Sequence, residues 1–284
     1  MEETVFEYLI QGIGVAVLLS VVLCGAIRFG VGYYSGPAMA GLAIGLAFLG
    51  AYINLLDWPP WPPVSASQKV GYLVLAGLAV GGLLDGLKSL KPIRINRFAL
   101  VVLPGLIVGW IGWRQITSFS VEGQLTLAVL WLAGGFIFVR LQAAAQYHNT
   151  GVAVVLVLAA SVGISVIAFT GAAASQAQLA GLLAASVGGF LLWNWPTPRY
   201  AFNQAAVFAS ATALMSIATT VVLYTDAAKV AMVFIPGIFL VPAVLADKPL
   251  AKLPLTDKPA LQALVIGGAT LIPVALAVGL ALIS

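Results

Sequence analysis

The 284-residue chain is 62% hydrophobic and only 8% charged, with a mean hydropathy of +1.08, whereas soluble domains carry about 25% charged residues. That excludes an ordinary water-soluble fold, which would expose large apolar patches, and makes lipid the solvent for most of the chain. The net charge of +4 fits the basic loops of a membrane protein rather than a nucleic-acid partner, and the one cysteine, Cys24, excludes an intrachain disulfide and any haem or zinc site built on cysteines.

The N-terminus carries Glu2, Glu3 and Glu7, with no Lys or Arg before Arg28. A secretory signal peptide needs a basic leading segment, so the first apolar stretch is expected to be a retained span. A helical span takes about 20 mainly apolar residues. The pattern predicts ten: 9–27, 37–56, 69–87, 97–117, 122–140, 151–171, 177–195, 203–224, 227–246 and 259–283. Tyr33 and Tyr34 follow the first span and suit an interfacial belt. After the second comes Asp57-Trp58-Pro59-Pro60-Trp61-Pro62-Pro63, whose prolines remove backbone donors and forbid a regular helix. A stiff turn at the headgroup level is expected there.

The loop after the third span is the most basic, with Lys88, Lys91, Arg94 and Arg97. The fourth span holds Pro104-Gly105, then Trp110 and Trp113; the fifth ends at Arg140. His148, the one histidine, follows with no carboxylate near it in sequence, so it is read as a loop residue and not a metal ligand. The seventh span ends Trp193-Asn194-Trp195-Pro196, and the eighth is small and hydroxylated, with Ser210, Thr212, Ser216, Thr219 and Thr220. The ninth holds Pro236-Gly237, and a charged loop from Asp247 to Lys258 leads to the tenth, which holds Pro273.

Two halves overlay. Val15-Ala16-Val17 matches Val152-Ala153-Val154, and Ala40-Gly41-Leu42 matches Ala180-Gly181-Leu182. Trp58-Pro59-Pro60 matches Trp195-Pro196-Thr197, and Pro104-Gly105 matches Pro236-Gly237. The offsets of 137, 140, 137 and 132 residues keep one order. The expectation is an all-α polytopic membrane protein of about ten transmembrane helices in two five-helix repeats, residues 1–145 and 146–284. An odd number of spans sends the second repeat in from the opposite face, so the repeats are inverted, a recurrent transporter design.

Charge tests the count. The N-terminal side and the loops after even-numbered spans carry three Lys or Arg: Lys69, Arg114 and Lys229. The other side carries ten: Arg28, Lys88, Lys91, Arg94, Arg97, Arg140, Arg199, Lys248, Lys252 and Lys258. The positive-inside rule places that second side in the cytoplasm and both termini outside. An inner or plasma membrane is expected.

Ionisable residues within spans are functional candidates by default. Asp85, with Lys88 three residues on, is expected to be an interfacial ion pair or a gate. Arg114 and Glu122 flank a turn and are read as an outer interfacial pair. The Pro104-Gly105 and Pro236-Gly237 breaks are the better lead to a substrate site, because Gly/Pro interruptions at corresponding positions of two repeats point to one. Trp110, Asn54, Thr212 and Ser216 are the side chains expected to join them around a cavity. The glycine pairs Gly81-Gly82, Gly134-Gly135, Gly188-Gly189 and Gly267-Gly268 suit close helix packing. No phosphate loop, His-Glu-x-x-His or Gly-x-Ser-x-Gly motif occurs. No enzyme activity, cofactor or metal is therefore expected.

The five-plus-five layout, over the whole chain, resembles that of drug/metabolite transporters and several other carriers. No family motif matches residue by residue, so no functional residue is carried over. The leading expectation is a secondary-carrier-like permease for a small neutral or amphipathic solute. The alternatives are a non-catalytic subunit or scaffold of a larger membrane complex and a lipid-handling membrane protein. Expected partners are the lipid bilayer and either other membrane subunits or a second copy of the chain.

Overall fold

A computed structural model describes residues 2–32, 36–86, 93–147, 149–246 and 258–283, with the backbone alone for 2–10, 37–38, 93–97, 147 and 246. Among the described residues the chain is helical and has no strand. In order, the helices are α1 (Glu2–Gly30), α2 (Gly36–Met39), α3 (Leu42–Leu56), α4 (Ala66–Gly86) and α5 (Ile93–Ile111). Then come α6 (Trp113–Thr117), α7 (Val121–Tyr147), α8 (Thr150–Thr170), α9 (Ala174–Trp193) and α10 (Gln204–Tyr224). The chain closes with α11 (Lys229–Met232), α12 (Phe234–Ile238), α13 (Val241–Ala246) and α14 (Pro259–Ile283).

Among the described residues, seven helices are long and apolar enough to cross a membrane: those within α1, α4, α7, α8, α9, α10 and α14. In length and composition, this is a membrane protein. The other three expected spans are interrupted. The second begins with the one-turn α2 and becomes regular only at α3, and the fourth breaks at Gly112, between α5 and α6. The ninth is cut into α11, α12 and α13. Shorter apolar helices of 10–17 residues remain at Leu42–Leu56, Phe98–Ile111 and Lys229–Ile238.

α10 is the centre of the molecule. Of its 21 residues, 18 are buried, from Ala205 to Val222. Its Ala, Ser and Thr side chains are small, so neighbouring backbones come close. α4 comes closest, through glycines one helical turn apart. A methyl at Gly77 would stand 2.5 Å from Thr212 Oγ1 and 2.9 Å from the Phe208 carbonyl oxygen. One at Gly81 would stand 2.5 Å from the Gln204 carbonyl oxygen and 2.6 Å from Ala205 Cα. On α3, a methyl at Gly45 would meet Ala209 Cβ at 2.8 Å. Around this centre α3 packs on α9, α1 lies on α3 and α9, and α8 lies on α9 and α14. α5 packs on α7, and α11, α12 and α13 pack on α14.

The Trp/Pro segment after α3 folds back onto α4. Tyr72 donates its hydroxyl to the Pro59 carbonyl at 2.8 Å. Trp58 and Trp61 stand edge-on to the Tyr72 ring, with centroids 5.9 and 5.4 Å away. Offset and edge-on ring pairs of this kind contribute about 1 kcal/mol each beyond the area they bury, so the turn is held as well as stiff. Tyr33, Tyr34 and His148 lie outside the described residues.

Candidate functional site

The start of α4 is built as a capping box. Ser65 Oγ accepts from the Gln68 amide at 3.2 Å, and Gln68 Oε1 accepts from the Val64 and Ser65 amides at 2.9 and 3.1 Å. These bonds satisfy donors that a helix start leaves open. One residue further on, Lys69 points back along the helix end, and its Nζ donates to the Trp110 carbonyl at 2.8 Å. The end of α10 is tied to the same place, with Tyr224 donating to the Ile111 carbonyl at 2.8 Å. Gly112 then turns the chain into α6, which carries Arg114.

α9 enters from the second half of the sequence. Ala172 has φ 54°, in the left-handed region that disfavours residues with a Cβ. Ala173 follows as an N-cap that offers no side-chain hydrogen bond. The first amides of a helix have no intrahelical partner; here the Gln176 and Ala177 amides bond the Ala173 carbonyl, at 3.0 Å each, which leaves those of Ala174 and Ser175 to whatever lies in front. Gln176, in the first turn, is 4% exposed. Its Nε2 reaches Ser67 Oγ at 3.0 Å, joining α9 to α4. Its Oε1 is buried and has no partner among the described residues.

These elements enclose a cavity of about 530 Å³. Its lining includes Ser65, Ser67, Lys69, Arg114, Gln176 and Tyr224, together with the Ala172–Ser175 turn and Thr220. Two cations border it and no carboxylate does. Helix starts of α4 and α9 both face it, and helix N-termini carry a partial positive charge. The electrostatic character is therefore cationic throughout.

Below the cavity the polar groups continue into α10. Thr212, Ser216 and Thr219 are fully buried and lie at i, i+4 and i+7, on one face of the helix. The contact of Gly77 with Thr212 turns that face toward α4. None of the three hydroxyls has a hydrogen-bond partner among the described residues. Buried polar groups are nearly always paired, so three in a row on one seam need an explanation.

The far end of the same helix pair is tied together. Asp85, near the end of α4, accepts from the Gln204 amide through Oδ1 at 3.2 Å and from the Ala205 amide through Oδ2 at 2.9 Å. Asn203 Oδ1 accepts from the Ala206 amide at 3.0 Å. The N-terminus of α10 is thus capped once by its own chain and once by α4. Nineteen residues separate Ala66 from Asp85, so cavity and cap stand roughly 28 Å apart along α4.

The cavity lining includes none of the residues expected to form a substrate site or gate, while Arg114, expected as half of an interfacial pair, does border it. Trp110 contributes only the carbonyl that holds Lys69. Asn54 is exposed near the end of α3. Thr212 and Ser216 sit in the seam. Pro104 is buried against Gly134 of α7, where Met215 of α10 also presses in. Gly105 faces the Trp131 indole, whose Nε1 donates to the Val101 carbonyl at 2.9 Å. Pro236 and Gly237 lie in α12, with Gly237 turned toward Pro273 of α14. Asp85 is placed as a helix cap; Lys88 lies outside the described residues. Arg114 borders the large cavity, and Glu122 borders a separate one of about 220 Å³ with Gln115 and Lys229.

Lys69, Ser67, Gln176 and the turn before α9 escape a sequence reading. Lys69 and Gln176 fall at expected span edges, where a polar residue is unremarked. Their one signal is position: each lies in the first turn of a helix, α4 and α9, that follows an even-numbered expected span. Among the described residues, no group of three or more His, Cys, Asp or Glu is placed to hold a metal. No protein-family model matches the chain, and no curated protein sequence matches it.

Proposed function

We propose that the protein is a secondary carrier of an inner or plasma membrane. In this reading it has ten spans in two inverted repeats, 1–145 and 146–284, with both termini on the non-cytoplasmic side. It moves a small neutral or amphipathic solute by rocking the repeats about the α4–α10 pair. The observation that carries the reading is the seam of unpaired hydroxyls between an open cavity and an opposite end tied by Asp85. A carrier needs polar groups along its path that are dry in one state and wetted or occupied in another. A static scaffold gains nothing from three unsatisfied hydroxyls, each of which costs about 1–3 kcal/mol.

Three further features support the inverted arrangement. α4 and α10 are the third spans of the two halves and pack on each other, as do the second spans α3 and α9. The first span packs on the second in both halves, and the fourth on the fifth. Two of the three interrupted spans also correspond, since α5–α6 and α11–α13 are the fourth of each half, whereas the broken second span α2–α3 faces a continuous α9. All lining segments of the cavity lie on the side that the charge count puts outside, so the conformation corresponds to one open outward.

The test uses Ser216→Cys in a Cys24→Ser background, reconstituted in sealed liposomes. A carrier exposes position 216 to a membrane-impermeant thiol reagent from either face as it cycles. A subunit with a permanently dry core leaves the cysteine inert from both faces, and that outcome would remove the carrier reading.

A further inference from the structure

The cavity carries more information than the carrier reading alone requires. It holds two cations and no carboxylate, in a molecule that elsewhere offers carboxylates freely to amides, as Asp85 does. Lys69 Nζ has three donors and spends one on the Trp110 carbonyl. Arg114 brings a planar fork suited to two oxygens at once. The uncapped start of α9 adds amides that point at the cavity, and backbone amides at a helix start bind anionic oxygens readily.

Gln176 supplies the independent sign. Its amide is buried, borders the cavity and has one polar atom unpartnered. The Ser67 hydroxyl can donate to an amide oxygen as readily as it accepts from an amide nitrogen. A half-turn of the Gln176 amide therefore keeps the Ser67 bond and presents Nε2 to an anion. In that orientation the spare polar atom is a donor, which an anionic oxygen can accept from.

The two ends of the α4–α10 pair sharpen this. At the tied end a carboxylate from α4 sits on the opening amides of α10. At the open end α4 presents its own start, and no acidic side chain lines the space before it. A carboxylate brought in by a solute would fill the matching place. We infer that the cavity of Ser67, Lys69, Arg114, Gln176 and the α9 start binds the anionic oxygen group, carboxylate or phosphate, of a small amphipathic solute. The inference rests on the carrier reading only for the solute's passage; the binding stands without it.

The experiment titrates the full chain, in uncharged detergent and in nanodiscs of zwitterionic lipid, following tryptophan fluorescence, since Trp113 borders the cavity. The probes are sodium butyrate and inorganic phosphate at constant ionic strength, with butyramide as the uncharged counterpart of butyrate. Butyrate or phosphate is expected to give a saturable change that butyramide does not. Lys69→Gln and Arg114→Gln are each expected to weaken it by about tenfold or more. Lys69→Arg should restore most of the loss, and Lys229→Gln, at the other cavity, should leave binding unchanged. Arg114 is exposed, so its variant carries the test if Lys69→Gln does not fold. An equal response to butyramide, or full binding in Arg114→Gln, would overturn the inference. So would a saturable change on adding phosphatidylglycerol to the nanodiscs with none on adding butyrate or phosphate, which would make the occupant a lipid headgroup. Butyrate binding without labelling of position 216 removes the carrier and keeps the site; labelling without binding does the reverse.

Discussion

At the level of single residues, Asp85 and Gly81 work as a pair. Gly81 lets α4 approach until Asp85, one turn on, reaches the start of α10. Loss of a helix cap costs about 1 kcal/mol. Asp85→Ala is expected to destabilise the folded protein by that order in a denaturant titration, while Asp85→Asn, which keeps one acceptor, loses less. Equal losses in the two would mean that the carboxylate contributes through charge alone. Glycine to alanine inside a helix normally gains about 1 kcal/mol from propensity, but a methyl at Gly81 must displace backbone, and such overpacking costs about 1–3 kcal/mol. Gly81→Ala is therefore expected to be destabilising. Gly82→Ala, whose methyl meets only Leu42 Cδ2 at 3.7 Å, should be neutral or slightly stabilising. Thermal melts of the two variants side by side decide this. The sequence marks Asp85 as unusual, yet local spacing points to Lys88 and nothing local points to residues 204 and 205. A partner more than a hundred residues away becomes visible only when the helices are packed.

Among the elements, the interrupted spans are where the sequence reads best and where it stops. Pro104 and Pro236 announce breaks, and the structure interrupts both segments, but at Gly112 in the first and on either side of α12 in the second, not at the prolines themselves. It does so unequally. α5 runs through Pro104, and Trp131 of α7 donates to the carbonyl of Val101, the residue next to Leu100, whose own carbonyl loses its helical donor to the proline. The ninth segment has Pro236 in a helix of five residues, facing Pro273. Whether a proline bends a helix or ends it depends on what the neighbours donate, and that is not written within the segment. Pro104→Ala is expected to leave melting within about 1 kcal/mol, since a straightened helix satisfies its own backbone. In a reconstituted uptake assay, with butyrate as trial solute, it should lower the initial rate severalfold. Trp131→Phe, which removes the indole donor, should lower the melting temperature instead. Reversed effects in the two variants would assign the break to stability rather than motion.

For the molecule as a whole, composition predicts the membrane, and hydropathy finds the seven long apolar helices but not the interruptions of the other three segments; the central place of α10 is not read from its small, hydroxylated residues. The cavity is not legible, because its parts come from four loops and helix ends that meet only in three dimensions. Ser118 and Ala201 are both exposed and test the orientation. As single cysteines in a Cys24→Ser background, Ser118→Cys should react with an impermeant reagent on intact cells, and Ala201→Cys only after permeabilisation. Equal reactivity on intact cells would contradict the charge-based topology. The enclosure of α10 also sets an order on biosynthesis. The helices against which it packs most, α3, α4, α5, α7, α8 and α9, all leave the ribosome before it does. The nascent chain must therefore hold a vacant slot, floored by Gly45, Gly77 and Gly81, until α10 is released to fill it. A slot that waits for its occupant should accept one delivered separately, so fragments 1–200 and 201–284, translated as two chains in one cell, are expected to co-purify.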